Sequence, residues 1–168
     1  YYLRFHKNGI CDNIATITIK IKVPKKSTIL SDKNICPEAK ITLDAGPGFS
    51  SYLWSNGSTA QTIIVPVGDY WVDLTFDGCI YRQVVSVKAV SLPIITGVEI
   101  QGGTVTVLVS GGKPPYQYSI NGVDYQASNI FSNLPSGDYT IYVISADQCL
   151  PTTTEINILR ILNVITPN

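Results

Sequence analysis

The chain carries few of the side chains that enzymes use for nucleophilic or metal-assisted chemistry. His6 is the only histidine among the 168 residues. Because a Ser-His-Asp or Cys-His site needs a histidine beside its nucleophile, neither of the two complete repeat modules defined below can hold one. The four cysteines include no Cys-x-x-Cys pair, which does not fit tetrahedral zinc spacing. We therefore predict no catalytic residue, no metal site and no cofactor.

A row of acidic residues surrounds a tryptophan on a predicted strand. Asp69, Trp71 and Asp73 share one face, because side chains alternate across a strand. Neighbours on that face stand roughly 7 Å apart, which gives a linear row rather than the converging carboxylates of a glycosidase. Two interpretations remain open: a solvated face, or a surface for a ligand, calcium or another module. We take these residues and Tyr142 as a candidate interaction surface.

The composition excludes several partners and favours β-structure. Twelve basic and twelve acidic residues give zero formal charge, which leaves no basic surface for nucleic acid. No stretch of about 18 apolar residues occurs, so we predict no transmembrane segment. With 45% hydrophobic residues, 13 Gly and 10 Pro, the chain suits short strands joined by tight turns. Since it begins at Tyr1 and has no methionine, we expect a fragment whose signal peptide lies upstream.

An internal repeat organises these elements. Cys11, Cys79 and Cys149 recur at intervals of 68 and 70 residues, and a Gly-Asp-Tyr segment occurs at both 68–70 and 137–139. Such self-similarity indicates repeated structural units. We predict the end of a truncated module at 1–24, complete modules at 25–90 and 91–162, and a linker at 163–168.

Each complete module reads as two packed antiparallel sheets, in which one apolar face of each strand is covered by the other sheet. We predict tandem immunoglobulin-like β-sandwiches, with a jelly roll or barrel as the alternative. The Asn-Gly pairs at 56–57 and 121–122 suit hairpin turns, because both residue types tolerate positive φ. The expected core residues are Trp54, Tyr70, Tyr118 and Tyr139.

The cysteines predict a disulfide inside the first complete module. Cys36 precedes one of its strands and Cys79 follows another. A bridge between them would stabilise the module by about 3–4 kcal/mol in the chain-entropy model. A disulfide needs an oxidising compartment, which favours secretion. Cys149 has no counterpart in its own module.

Residues 111–122 read Gly-Gly-Lys-Pro-Pro-Tyr-Gln-Tyr-Ser-Ile-Asn-Gly, and a Leu-Pro-Ser-Gly-Asp-Tyr segment follows at 134–139. This pattern resembles the SprB-type repeat of gliding-motility adhesins. Those repeats usually have Gly before their Cys, where this chain has Gln148. Residues 35–88 look like the immunoglobulin-like modules that accompany such repeats.

The last residues, which end in Thr166, Pro167 and Asn168, resemble the start of a type B C-terminal sorting domain of type IX secretion. The resemblance implies an extracellular protein attached to the outer membrane, with type IX secretion and outer-membrane anchoring proteins as partners. It implies a non-catalytic stalk of a cell-surface adhesin, in gliding motility. The alternatives are a module that binds polysaccharide or protein through exposed aromatics, and an accessory region of a secreted enzyme.

Overall fold

The structure is a computed structural model and describes residues 2–5, 13–16 and 22–159. Every regular element in these ranges is a β-strand. No described residues form a helix long and apolar enough to span a membrane. The first two strands, β1 (Tyr2–Phe5) and β2 (Asn13–Thr16), pair antiparallel.

Six strands follow between residues 33 and 89. They are β3 (Lys33–Ile35), β4 (Ile41–Asp44), β5 (Ser51–Trp54), β6 (Thr62–Val65), β7 (Gly68–Phe76) and β8 (Cys79–Ala89). One sheet has the order β3-β8-β7-β5, and the other pairs β4 with β6. The chain changes sheet at each step from β3 to β7, and β7 and β8 then pair within one sheet, which is an immunoglobulin-type arrangement. The short β3 pairs parallel to the end of β8.

Six more strands lie between residues 93 and 158. They are β9 (Pro93–Gln101), β10 (Thr104–Gly111), β11 (Gln117–Ser119), β12 (Ile130–Phe131), β13 (Gly137–Ile144) and β14 (Thr152–Ile158). Their sheets have the orders β12-β10-β9 and β11-β13-β14. β9 and β10 pair within one sheet and β13 and β14 within the other, and the chain changes sheet at each step from β10 to β13, which again suits an immunoglobulin-type sandwich. The chain is therefore all-β, with two immunoglobulin-like modules in tandem.

Period-2 alternation builds the interior of the modules. On β7, Val72 and Leu74 are buried while their neighbours are partly exposed. In the second module, the core takes residues from both sheets: Val105, Val107, Tyr118, Phe131, Ile141, Val143 and Ile158. Because each sheet offers one apolar face, the two faces together exclude water.

The turns differ from the prediction. Asp77 and Gly78 have φ of 49° and 74° and form the two-residue connection from β7 to β8. The predicted hairpins at the Asn-Gly pairs are wrong, because each pair leads from one sheet to the other. At the second pair, the Asn121 side chain accepts hydrogen bonds from the N–H groups of Val123 and Asp124. It therefore closes a local Asx turn, which a single antiparallel bridge between Tyr118 and Gln126 flanks.

The chain groups into two compact units. Unit 1 comprises residues 1–31, 42–63 and 70–85, and unit 2 comprises 32–41, 64–69 and 86–168. This division passes through strands of the first module. The module boundaries at 24/25 and 90/91 therefore stay predictions from the sequence repeat.

Candidate functional site

The predicted interaction surface around Trp71 contains an arginine that the sequence interpretation missed. The Arg82 side chain on β8 donates from Nε and Nη2 to the two carboxylate oxygens of Asp73, each at 2.7 Å. Its guanidinium also lies 3.7 Å from the centroid of the Trp71 ring. A planar guanidinium suits both a bidentate carboxylate contact and stacking on an aromatic ring. Trp71 is therefore half-buried, with one ring face covered.

Arg82 could be found from the sequence by counting across the two-residue turn at 77–78, which places residue 82 opposite residue 73. Its hydrogen bonds hold the pKa of Asp73 below the usual range, while desolvation acts in the opposite direction. The same pair raises the pKa of Arg82. The carboxylate of Asp73 is thus ionised and paired at neutral pH.

The other acid of the row, Asp69, also has a partner, and so does Asp77 in the turn after β7. Asp69 accepts a hydrogen bond from the Ser86 hydroxyl at 2.7 Å. Asp77 lies 2.8 Å from the Lys22 ammonium. The row is therefore a set of local polar pairs, not an array of free carboxylates.

Exposed aliphatic side chains surround the Asp73–Arg82 pair. Leu53 pairs with Asp73 in the β5–β7 register and is 44% exposed. Ile80 and Val84 share the Arg82 side of β8 and are 69% and 74% exposed. We call the surface formed by Leu53, Trp71, Asp73, Ile80, Arg82 and Val84 the Trp71 face. It presents apolar area around one compensated ion pair.

Tyr142 lies in unit 2, on β13, and its ring packs against Gly122. It is half-buried, and a Cβ built on Gly122 would lie 3.1 Å from Cζ of its ring. The glycine thus lets the turn after β11 pack closely against the tyrosine. Gly122 also has a φ of 73°, which suits glycine.

Two of the expected core residues are buried and two are half-buried. Trp54 is 1% exposed, and its indole N–H donates to the Ala60 carbonyl. Tyr118 is 7% exposed, and burial raises its pKa. Tyr70 and Tyr139 are half-buried. The Tyr139 hydroxyl donates to the Pro135 carbonyl at 3.0 Å, as in the tyrosine corner of immunoglobulin-like domains.

The predicted Cys36–Cys79 disulfide is wrong, because Cys36 is bonded to Cys149 and Cys79 is free. The reason lies in β8. Ile35 pairs with Ala89 at the far end of that strand, whereas Cys79 begins it. Ten residues of extended strand separate these ends by roughly 33 Å, far beyond the reach of a disulfide.

The Gly-Gly-Lys-Pro-Pro-Tyr segment forms the connection from β10 to β11. Its Pro114–Pro115 bond is cis. The Tyr116 hydroxyl donates to the Gly111 carbonyl at 2.6 Å, which closes the turn. A Cβ on Gly112 would lie 2.8 Å from the Pro93 nitrogen, so this position requires glycine. Cys11, His6 and the predicted sorting-domain residues Thr166, Pro167 and Asn168 lie outside the described residues.

Residues 102–124, which include this connection, match the family model of the SprB repeat. The match supports a SprB-type adhesin region. A comparison with curated proteins found no match.

Among solved structures, the chain is similar to extracellular domains 3–5 of Drosophila OTK, with 14% identity and a TM-score of 0.41, over 88% of this chain and 65% of that one. The chain thus spans about two thirds of that structure. It is also similar to titin domains Z1Z2 in complex with telethonin, with 15% identity and a TM-score of 0.31, over 83% of this chain and 96% of that one.

Proposed function

We propose that the chain is a non-catalytic stalk region of a secreted cell-surface adhesin of the gliding-motility type. The observation that carries this proposal is the SprB-repeat match at 102–124, which covers β10, β11 and their connection inside an immunoglobulin-like module that directly follows another. The last strand of one module ends at Ala89 and the first strand of the next begins at Pro93. Such short connections suit modules that serve as spacers in a longer chain.

The disulfide supports an extracellular location. Structural disulfides persist in oxidising compartments and are rare in the cytosol. The half-buried Trp71, stacked under Arg82, and the compensated acids around it favour a structural role for this surface over a site that does chemistry.

Residues 163–168 resemble the start of a type B sorting domain. This resemblance suggests which domains flank the proposed stalk in the full-length protein. The stalk would join an adhesive part upstream to a domain that type IX secretion and outer-membrane anchoring proteins recognise. The sequence after Asn168 in the full-length protein tests this part. A Gly-Asp-Gly continuation supports it, whereas another repeat contradicts it.

A replacement experiment tests the stalk itself. In the full-length protein, residues 25–159 are exchanged for an unrelated pair of immunoglobulin-like modules of similar length. A spacer works through its length, so we expect normal surface exposure, adhesion and gliding. Deleting the same residues without replacement should leave export intact and reduce adhesion. Loss of adhesion in the exchanged protein, with export intact, would contradict a passive stalk.

A second candidate function is binding of a partner through the Trp71 face, because its three aliphatic side chains are 44–74% exposed around a fixed arginine. Since Arg82 covers one ring face of Trp71, this surface suits a protein better than a sugar ring. Val84→Ser tests it in adhesion and glycan-array assays, with Ile64→Ser as the matched control. Ile64 is 70% exposed and lies on the other sheet. If both variants bind as well as the unchanged protein, the result supports the stalk. Loss of binding with Val84→Ser alone supports the binding module.

A further inference from the structure

The Cys36–Cys149 disulfide closes most of the chain into a covalent ring. Its two cysteines are 113 residues apart in sequence, and their Cα atoms are 5.4 Å apart. The ring contains every strand from β4 to β13. Residues before 36 and after 149 lie outside the ring. A force applied to the two chain ends acts on these segments first.

Each end of the ring is attached to a strand that is held by pairing. Before Cys36, β3 pairs in parallel register with β8, and Asp32 accepts a hydrogen bond from the Ser86 N–H. After Cys149, β14 pairs with β13 through seven residue pairs. Cys149 is 8% exposed and Cys36 is half-buried. These features place a covalent crosslink between the entry and exit of the chain.

We propose that this disulfide is a mechanical bypass, through which tension between the chain ends passes from Cys36 to Cys149 without stretching the backbone of residues 37–148. The physical reason is that a covalent crosslink cannot lengthen appreciably, whereas strand pairing yields when pulled. Only the segments outside the ring, including β3 and β14, can then be peeled from their neighbours. The proposal rests on the proposed stalk function in one respect only: that function explains why the chain would be under tension.

The effect on length is large. A fully extended chain spans about 3.3–3.6 Å per residue, so the ring would contribute roughly 400 Å if it were opened. With the bond intact it contributes the 5.4 Å that separates the two Cα atoms. The disulfide therefore sets the maximum extension of this part of the protein.

Single-molecule force spectroscopy tests the proposal. The full chain is placed between reference domains and pulled from its two ends under oxidising conditions. We expect a contour-length increase of at most roughly 200 Å, from residues 1–35 and 150–168. Reductant, or the variant Cys36→Ser, should raise it to roughly 600 Å. Cys79→Ser is the matched control, because it removes a cysteine without opening the ring, and it should behave as the unchanged protein does.

An increase near 600 Å in the oxidised, unchanged protein would overturn the bypass. So would a short extension that persists in Cys36→Ser. Contour length is informative even if that variant fails to fold, since an unfolded open chain still reaches full length. The bypass can hold or fail whether or not the protein is an adhesin, because the adhesion assays above measure a different property.

Discussion

Gln148 occupies a backbone conformation that costs free energy for any residue with a side chain. Its φ is 53°, in the left-handed region, and its N–H donates to the Ser145 carbonyl just before the disulfide-bonded Cys149. A Cβ in this region approaches the following carbonyl oxygen, at a cost of about 1–2 kcal/mol. The SprB-type pattern has Gly here, so this chain tolerates a strained residue where glycine fits best.

Gln148→Gly should stabilise the protein for that reason. Relief of the left-handed strain exceeds the extra entropy that glycine gives the unfolded chain, so the free energy of unfolding should rise by about 0.5–1 kcal/mol. The midpoint of urea unfolding, with the disulfide intact, measures it. Gln148→Ala keeps the Cβ and should give no gain. A gain of equal size from alanine would show that the Gln148 side chain, not its backbone, carries the strain.

Asp73 makes stability depend on pH. Its pKa in the folded protein is lowered by the hydrogen bonds from Arg82, so its contribution is present above the unfolded value of about 3.9 and is lost as pH falls through the folded value. Asp73→Asn should therefore be less stable than the unchanged protein at pH 7, with the difference shrinking below about pH 4. Urea midpoints across this range measure it. In an Arg82→Gln background the pH dependence of the difference should be weaker, and a constant gap in both backgrounds would contradict the assignment.

At the scale of elements, the start of β13 is tied to the loop before it by the Tyr139 hydroxyl, which donates to Pro135. Tyr139→Phe removes this bond and should lower the free energy of unfolding by about 0.5–1.5 kcal/mol. Tyr142→Phe, on the same strand, is the matched control, since its hydroxyl makes no hydrogen bond to a described residue. Thermal or urea unfolding of both variants measures the difference. Equal losses in the two variants would mean that the hydrogen bond from Tyr139 to Pro135 does not contribute to the free energy of unfolding.

Strands could be predicted from the sequence, because alternation along segments such as β7 directly encodes which side chains are buried. The sequence did not predict which of the two sheets the strand after a connection joins. The Asn-Gly pair at 56–57 satisfies a tight turn equally well whether the next strand joins the same sheet or the opposite one. The pairing of Arg82 with Asp73 could have been predicted from the sequence, since the Asp77-Gly78 turn fixes the register that places them opposite each other. Sheet membership and long-range partners depend on packing of the whole module, which local patterns do not specify.

At the scale of the whole molecule, the cysteine pairing shows this limit most clearly. The repeat placed Cys36 and Cys79 in one module, and the bond instead joins Cys36 to Cys149, which the repeat placed in the next one. Parallel pairing of β3 with the far end of β8 decides the outcome, and a three-residue strand gives little signal in the sequence. The actual bond closes a much longer loop than the predicted one.

Loop length leads to a prediction about global stability. In the chain-entropy model, a loop of 113 residues restricts the unfolded chain enough to stabilise the folded state by about 5 kcal/mol. Cys36→Ala should lose most of this under oxidising conditions, and Cys149→Ala should lose a similar amount. The double variant should lose little more than either single variant, because both remove the same bond. Urea unfolding without reductant measures all three. Cys79→Ala should change the midpoint little, and a loss from it as large as that from Cys36→Ala would mean that Cys79 takes part in the bond.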